Sequence, residues 1–423
     1  MIKKILTTIA TRYLIAILNL ALIFINAKVL GVEGVGLVGL IVASVNIAVI
    51  FNGILCGGTI VYFLNRYSIL TIIAPAYLWT LLGSAIACAG MFLTGLMPEG
   101  YWLDIYVLAI LNSIVAANAR FLLGKDNIKG FNLTFMLQGG SLFLVLLYLY
   151  FVAGRQNVGS YVTGLYATNL MALAASLFML APILLKDAYD NKGKSMIGIV
   201  KEMFAYGLWA GADGLAESCT TRLNYFLIER FVGLGGVGLL DAGTKISESV
   251  WHISRSVSFI EYSEVAKTNI LKERKEVTLR LFKVTLCAMT AVMCAILLIP
   301  EWLYTDYLFS PEFEGMKMVI CSLSVGIVAL GCNSIIGHYF IGSGNIKYSA
   351  ASSVVGLITL LLSGLVLIPA YGITGSALSS SIAFSAMLIF SLSIFMRQTS
   401  TSLTELLPNR EDLVYIRGKI ETG

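Results

Sequence analysis

The chain has 423 residues, 58% of them hydrophobic and 13% charged, with a formal net charge of +5. Ordinary soluble domains are about 45–50% apolar and about 25% charged, so a soluble globular fold is excluded. Apolar runs of about 20 residues recur from end to end, each long enough for a bilayer core of about 30 Å. They predict an all-α polytopic membrane protein.

The first apolar run, within MIKKILTTIATRYLIAILNLALIFINAKVL, is too long for a signal peptide and has no clear small-residue cleavage site, so it reads as a retained span. In chain order the predicted spans are 9–28, 36–63, 69–96, 101–119, 132–153, 160–185, 204–228, 237–262, 282–300, 317–341, 348–369 and 373–396. Pro75 either kinks the third or marks its start. Placing the N-terminus inside leaves only Lys28, Arg155, Arg230 and Lys317 in outer segments, while most other Lys and Arg fall in inner ones. That bias predicts both termini in the cytoplasm and an even number of spans. Inner loops facing anionic lipid account for the positive charge without a nucleic-acid partner. The longest outer loop, 300–317, is acidic and aromatic, and the polar tail from 397 to 423 is expected free or along the inner surface.

Two segment pairs recur in order. KVLGVEGVGL at 28–37 matches RFVGLGGVGL at 230–239, aligning Gly31 with Gly233, Gly34 with Gly236 and Gly36 with Gly238. GKDNIK at 124–129 matches GSGNIK at 342–347. Each pair sits at the same point of a six-span half. The expectation is two parallel six-helix lobes, 1–190 and 191–396, with substrate passing between them, a recurring transporter plan.

Span eight carries the sharpest signal, DAGTKISESVWHISRS at 241–256. At about 100° per residue, Asp241, Lys245, Glu248, His252 and Arg255 fall at about 0°, 40°, 340°, 20° and 320°, one wedge of a helix. Four charges facing lipid at about 2.5–3.5 kcal/mol each would cost roughly 10–14 kcal/mol, so the wedge must meet water or partner charges. Spacing permits local pairing of Asp241 with Lys245 and of Lys245 with Glu248. The two readings are an ion-pair ladder joining helices and a wall of a hydrated substrate cavity. In span seven, Asp213, Glu217, Thr220 and Asn224 form a second polar stripe, while Arg222 points elsewhere. The first half is milder. Arg12, Asn19 and Asn26 share a face of span one, and the counterparts of the span-eight stripe are Gly39, Ala43, Asn46, Ile50 and Gly53. The cysteines form no CxxC pair, and the two histidines, His252 and His338, lie far apart, so no disulfide framework, metal site or cofactor is expected.

These features resemble the multidrug/oligosaccharidyl-lipid/polysaccharide exporter superfamily. The likeness rests on two six-helix halves, the glycine-rich LG-x-x-G-x-G after the first span of each, and LFSPEF at 308–313. GSGNIKYSAASS at 342–353 and LIPAYGITGSALSSS at 367–381 extend it. Within the superfamily the chain is most similar to O-antigen flippases of the Wzx type. The resemblance implies a multi-pass protein of the bacterial inner membrane. It would move undecaprenyl-diphosphate-linked oligosaccharide repeat units to the periplasmic leaflet by alternating access, with other polysaccharide-assembly proteins as partners. Carried over by position, Lys245, Arg255 and Arg12 become candidates for the anionic groups. Asp213, Glu217, Asp241 and Glu248 become candidates for sugar hydroxyls, with Asp213 and Glu217 also candidates for ion coupling. A small-molecule efflux pump of the MATE type is the rival, disfavoured because spans one and two carry no acidic residue. A flippase for a lipid-linked peptidoglycan precursor usually has extra spans. An O-antigen polymerase would be an enzyme with a large periplasmic loop, and a scaffold would not need buried charge.

Overall fold

A computed structural model describes residues 2–407, apart from Asn65, residues 188–194 and Asn269. Among the described residues the chain is helical throughout, with no strand. The order is α1 (Ile2–Cys56), α2 (Gly58–Phe63), α3 (Ile69–Leu93), α4 (Trp102–Gly124), α5 (Ile128–Phe135), α6 (Ser141–Leu147) and α7 (Val158–Leu184). It continues with α8 (Met196–Phe231), α9 (Leu234–Ser249), α10 (Trp251–Lys267), α11 (Leu271–Leu298), α12 (Met316–Gly342) and α13 (Ile346–Thr399). One-turn π segments continue α5 into α6 and extend α6 to Val152, so Ile128–Val152 forms one membrane-length stretch.

Eight stretches are long and apolar enough to cross a membrane, and two of these, Leu14–Phe63 and Ile346–Thr399, are of double length. Each double stretch is broken at a glycine, Gly31 in α1 and Gly372 in α13. Counting each as two spans gives ten, and the more polar α8 and α9–α10 complete the twelve. Helix α3 runs from Ile69 straight through Pro75, so the proline interrupts neither end. Its start is held from outside: the Asp187 carboxylate accepts the Ile69 N–H at 2.6 Å, and the Ser68 hydroxyl accepts that of Thr71 at 3.3 Å. A carboxylate there also complements the positive end of the helix dipole.

The repeat is visible in the backbone. Gly31 (φ 68°, ψ −180°) and Gly233 (φ 98°, ψ −178°) share a conformation essentially open only to glycine. Asp126 (φ 59°) and Gly344 (φ 82°), equivalent in the second matched segment, both have positive φ. Gly154 (φ 66°) and Gly372 (φ 56°) lie at the same offset of 218 as that pair. The glycine-rich matches therefore encode the same chain breaks in each half.

The chain divides into two compact units, Met1–Ser218 and Cys219–Gly423, the division falling inside α8. In the first, Ile199 and Met203 from the start of α8 join a core with Ile60, Phe63, Ile72 and Phe121. In the second, Val265, Phe282, Ile335, Tyr339 and Phe395 form the corresponding core. Leu406 joins that core, and Lys275 pairs with Glu405 at 2.7 Å, so residues 400–407 dock on α11 instead of lying free. The rest of the expected tail, 408–423, lies outside the described residues.

Candidate functional site on the second lobe

Helices α9 and α10 form the polar span. Val250, between them, keeps right-handed helical geometry (φ −66°, ψ −31°), so the chain only tightens there. Its N–H bonds the Ser247 carbonyl at 3.2 Å, a 3₁₀-type contact. Periodicity therefore carries across the junction and Asp241, Lys245, Glu248, His252 and Arg255 remain on one side.

The wedge has two parts. In the first, Lys245 Nζ lies 2.7 Å from Asp241 Oδ2; Asp241 is buried, whereas the lysine side chain keeps 31% of its exposure. Glu248 is half-buried, and Arg222 of α8 pairs with it at 2.8 Å. Arg222 also donates to the Tyr225 hydroxyl at 3.0 Å and lies 5.5 Å from that ring's centroid. In the second part, His252 and Arg255 are exposed. The Arg255 guanidinium sits 4.0 Å from the centroid of the Trp251 ring, and Trp251 Nε1–H donates to Ser334 Oγ at 3.1 Å. A cation laid over indole keeps its charge available while its position is restrained.

The structure gives one residue its partner and corrects the placement of another. Arg222, expected to point away from the polar stripe of Asp213, Glu217, Thr220 and Asn224, pairs with Glu248 of the charged stripe on the neighbouring helix. Helices α8 and α9 are joined by a turn of two residues, Val232 and Gly233, and run back along each other, which brings Arg222 against Glu248. Asn224, expected on a cavity wall, is buried. Its Nδ2 contacts the Ser376 carbonyl at 2.8 Å, Ser379 Oγ at 3.1 Å and Ser380 Oγ at 2.7 Å, tying α8 to α13. Thr220 lies on the same side, with its hydroxyl 3.4 Å from the Ser353 carbonyl. Asp213 and Glu217 are half-buried, one turn apart on the part of α8 that belongs to the first unit. Arg12 lies in α1, with its side chain outside the described residues.

In the first unit several interior polar networks are neutral, although Arg120 brings one buried guanidinium nitrogen, Nε, into the interior. Gln138 Nε2 donates to Asn112 and Asn169 at 2.6 and 2.9 Å. Asn52 Nδ2 donates to Ser84 and Ser113, each at 2.8 Å. Asn26 accepts from the Tyr150 hydroxyl at 3.1 Å. On the second unit, His252 and Arg255 are exposed, and Lys245, paired with Asp241, is partly accessible beside them. Such a surface can hold an anionic or polyhydroxylated ligand, with the indole edge beside it.

No protein-family model matches the sequence, and no curated protein does. Solved structures match over nearly the full length. A lipid II flippase MurJ in an inward closed conformation superposes with a TM-score of 0.66 at 13% identity, over 96% of this chain and 89% of that one. An outward-facing multidrug resistance MATE family transporter of the MOP superfamily gives 0.63 at 16% identity, over 93% and 94%. A MOP superfamily transporter from Pyrococcus furiosus gives 0.55 at 14%, over 93% and 94%. The chain thus has the all-α, two-lobed fold of MOP superfamily transporters.

Proposed function

We propose that the chain is a flippase. It moves undecaprenyl-diphosphate-linked oligosaccharide repeat units, of O-antigen or a related surface polysaccharide, from the cytoplasmic to the periplasmic leaflet of a bacterial inner membrane. On this reading both termini are cytoplasmic, and residues 1–190 and 191–396 form the two lobes. No bond is made or broken, so the protein is not an enzyme. Transport proceeds by alternating access, in which the polar face of α9–α10 is open first to one side of the membrane and then to the other.

The observation that carries this reading is the accessible side of this polar face, where the exposed Arg255 and His252 lie beside the half-buried Lys245, which is paired with Asp241, and the Arg222–Glu248 pair. A diphosphate headgroup demands cations, and a glycan demands hydroxyl partners and an aromatic edge. The superposition on a lipid II flippase supports a lipid-linked cargo. The superpositions on MATE transporters favour a second reading, cation-coupled efflux of small molecules, for which Asp213 and Glu217 are the acidic candidates.

The test is complementation in a host whose own flippase has been deleted. The wild-type chain restores surface glycan, while Lys245→Ala and Arg255→Ala each reduce it about tenfold, the effect of about 1.4 kcal/mol of lost cargo binding. Restoration of drug resistance without surface glycan would select the efflux reading. Full restoration by both alanine variants would remove the polar face from the transport path.

A further inference from the structure

The charged wedge is one side of α9–α10. Counting from Asp241 at about 100° per residue, Ser247, Ser254, Ser258 and Glu261 fall at about 240°, 220°, 260° and 200°, a second polar line on the opposite side. All four are fully buried. Ser247 and Ser254 satisfy themselves on the carbonyls of Gly243 and Gly331. Ser258 Oγ has no hydrogen-bond partner, and neither has either carboxyl oxygen of Glu261. Native interiors bond nearly all such groups, and an orphan carboxyl asks for an explanation.

Among the described residues few groups surround Glu261. Thr278 of α11 faces it, its hydroxyl the polar group turned toward the carboxyl, without a well-formed hydrogen bond between them. Tyr339 of α12 lies within electrostatic reach of both Glu261 and Arg274 of α11. Arg274 is held at the α10–α11 turn, where its Nε–H donates to the carbonyls of Val265 and Thr268 at 3.1 and 2.7 Å. Lys283, the buried lysine of α11, is turned about 140° away from Thr278 on that helix. From α13 and the turn after it come the apolar Phe395 and Leu406. Among the described residues no cation closes on the carboxyl, and an enclosed carboxylate without a counter-charge is unfavourable. One turn further along α10, the exposed Glu264 lines a cleft of about 350 Å³ with Thr268, Glu273, Glu276, Val277 and Arg280. Val277 adjoins Thr278, so this acidic cleft opens within one turn of the buried acid.

We propose that Glu261 is a proton-exchange site of the second lobe, protonated when enclosed between α10, α11 and α12 and discharging its proton to water through the cleft at the α10–α11 turn. The transfer is a simple ionisation: the carboxyl O–H breaks, water takes the proton, and the carboxylate remains until it is recharged. This goes beyond the flippase proposal by assigning a coupling group distinct from Asp213 and Glu217, and it does not depend on the identity of the cargo.

The full chain, reconstituted in liposomes, is treated with a hydrophobic carbodiimide, which reacts with protonated carboxyls in apolar surroundings, and the adduct is mapped by mass spectrometry. Glu261 is modified, and modification falls about tenfold per pH unit above its midpoint. In the complementation host, Glu261→Gln gives surface glycan export whose pH profile is flat, while Glu261→Asp keeps a pH-dependent profile. Membrane levels of both variants are measured, and the carbodiimide result on wild-type protein stands if either variant fails to insert. Absence of a Glu261 adduct, or adduct yield independent of pH, would overturn the proposal. So would a Glu261→Gln profile superimposable on wild type. Failure of the flippase reading alone leaves the labelling result untouched.

Discussion

In the first lobe several buried polar side chains close on one another without charge: Asn52 on Ser84 and Ser113, Gln138 on Asn112 and Asn169, Asn26 on Tyr150, with Arg120 the buried cation among them. In the second, Asp241 with Lys245 and Arg222 with Glu248 are ion pairs, and Glu261 is buried with no cation paired to it among the described residues. Yet the two backbones break at matching glycines, each with positive φ. A neutral network contributes stability and demands little of its surroundings. A buried charge is a weak source of stability and a strong constraint on what may approach it. Keeping the chain path while changing the side chains concentrates these ion pairs in one lobe, the economical arrangement where one lobe meets most of an ionic cargo.

Removing one member of a charged pair should have the largest effect. Arg222→Ala leaves Glu248 half-buried and unpaired, with an expected loss of about 2–3 kcal/mol. Asn52→Ala removes two neutral hydrogen bonds and is expected to lose about 1–2 kcal/mol. Thermal unfolding of the detergent-solubilised protein measures both. The double variant Arg222→Ala/Glu248→Ala should recover part of the loss, because no charge is then left alone. Equal losses for Arg222→Ala and Asn52→Ala, with no recovery in the double variant, would break the contrast between the lobes.

Substitution at the matching breaks tests the symmetric side of the comparison. A Cβ added at Gly233 meets no atom within 4 Å, so Gly233→Ala isolates the backbone penalty of positive φ. That penalty is about 1–3 kcal/mol, and Gly31→Ala should carry the same backbone cost. Matching shifts in unfolding temperature would sharpen the picture of one chain path used twice. A neutral Gly233→Ala would show that the break tolerates other geometries.

Much of this was legible in the sequence, for definable reasons. Hydropathy marks spans because lipid admits only long apolar helices, and even the polar α9–α10 showed its helical period through its charges. The glycine matches were legible because positive φ restricts the residue. Partners were not legible. Periodicity says which residues of α8 share a face, and it correctly separated Arg222 from Asn224; it does not say which neighbour each face meets. The partner of Arg222, Glu248 on the next helix, was therefore out of reach of periodicity, and Asn224 looked solvated where it knots two helices. Glu261 escaped notice because it lies opposite the charged wedge, in line with serines that read as ordinary helix packing. Its burial without a facing cation among the described residues, a property of the folded lobe, sets it apart.

The smallest expected effect concerns the segment after α13, which is outside the membrane and belongs to the charged lobe alone. Glu405 is held down to about 2, first by its hydrogen bond from Lys275 and then by the Ser402 backbone N–H. Its carboxylate accepts that N–H at 2.9 Å, closing a capping box on the short turn Leu403–Leu406. A carboxyl whose folded value lies below its ordinary value of about 4.3 stabilises the docked state at neutral pH. That contribution begins to fall as pH drops through the ordinary carboxylate range and is gone below about 2. The group is exposed and salt screens it, so the change should appear locally, as faster hydrogen exchange over residues 400–407 with global unfolding little altered. Glu405→Gln should raise that exchange at neutral pH and abolish its acid dependence. If the variant and wild type exchange alike at every pH, the buried Leu406 alone holds the segment, and the ionic character of the second lobe stops at its membrane-spanning helices.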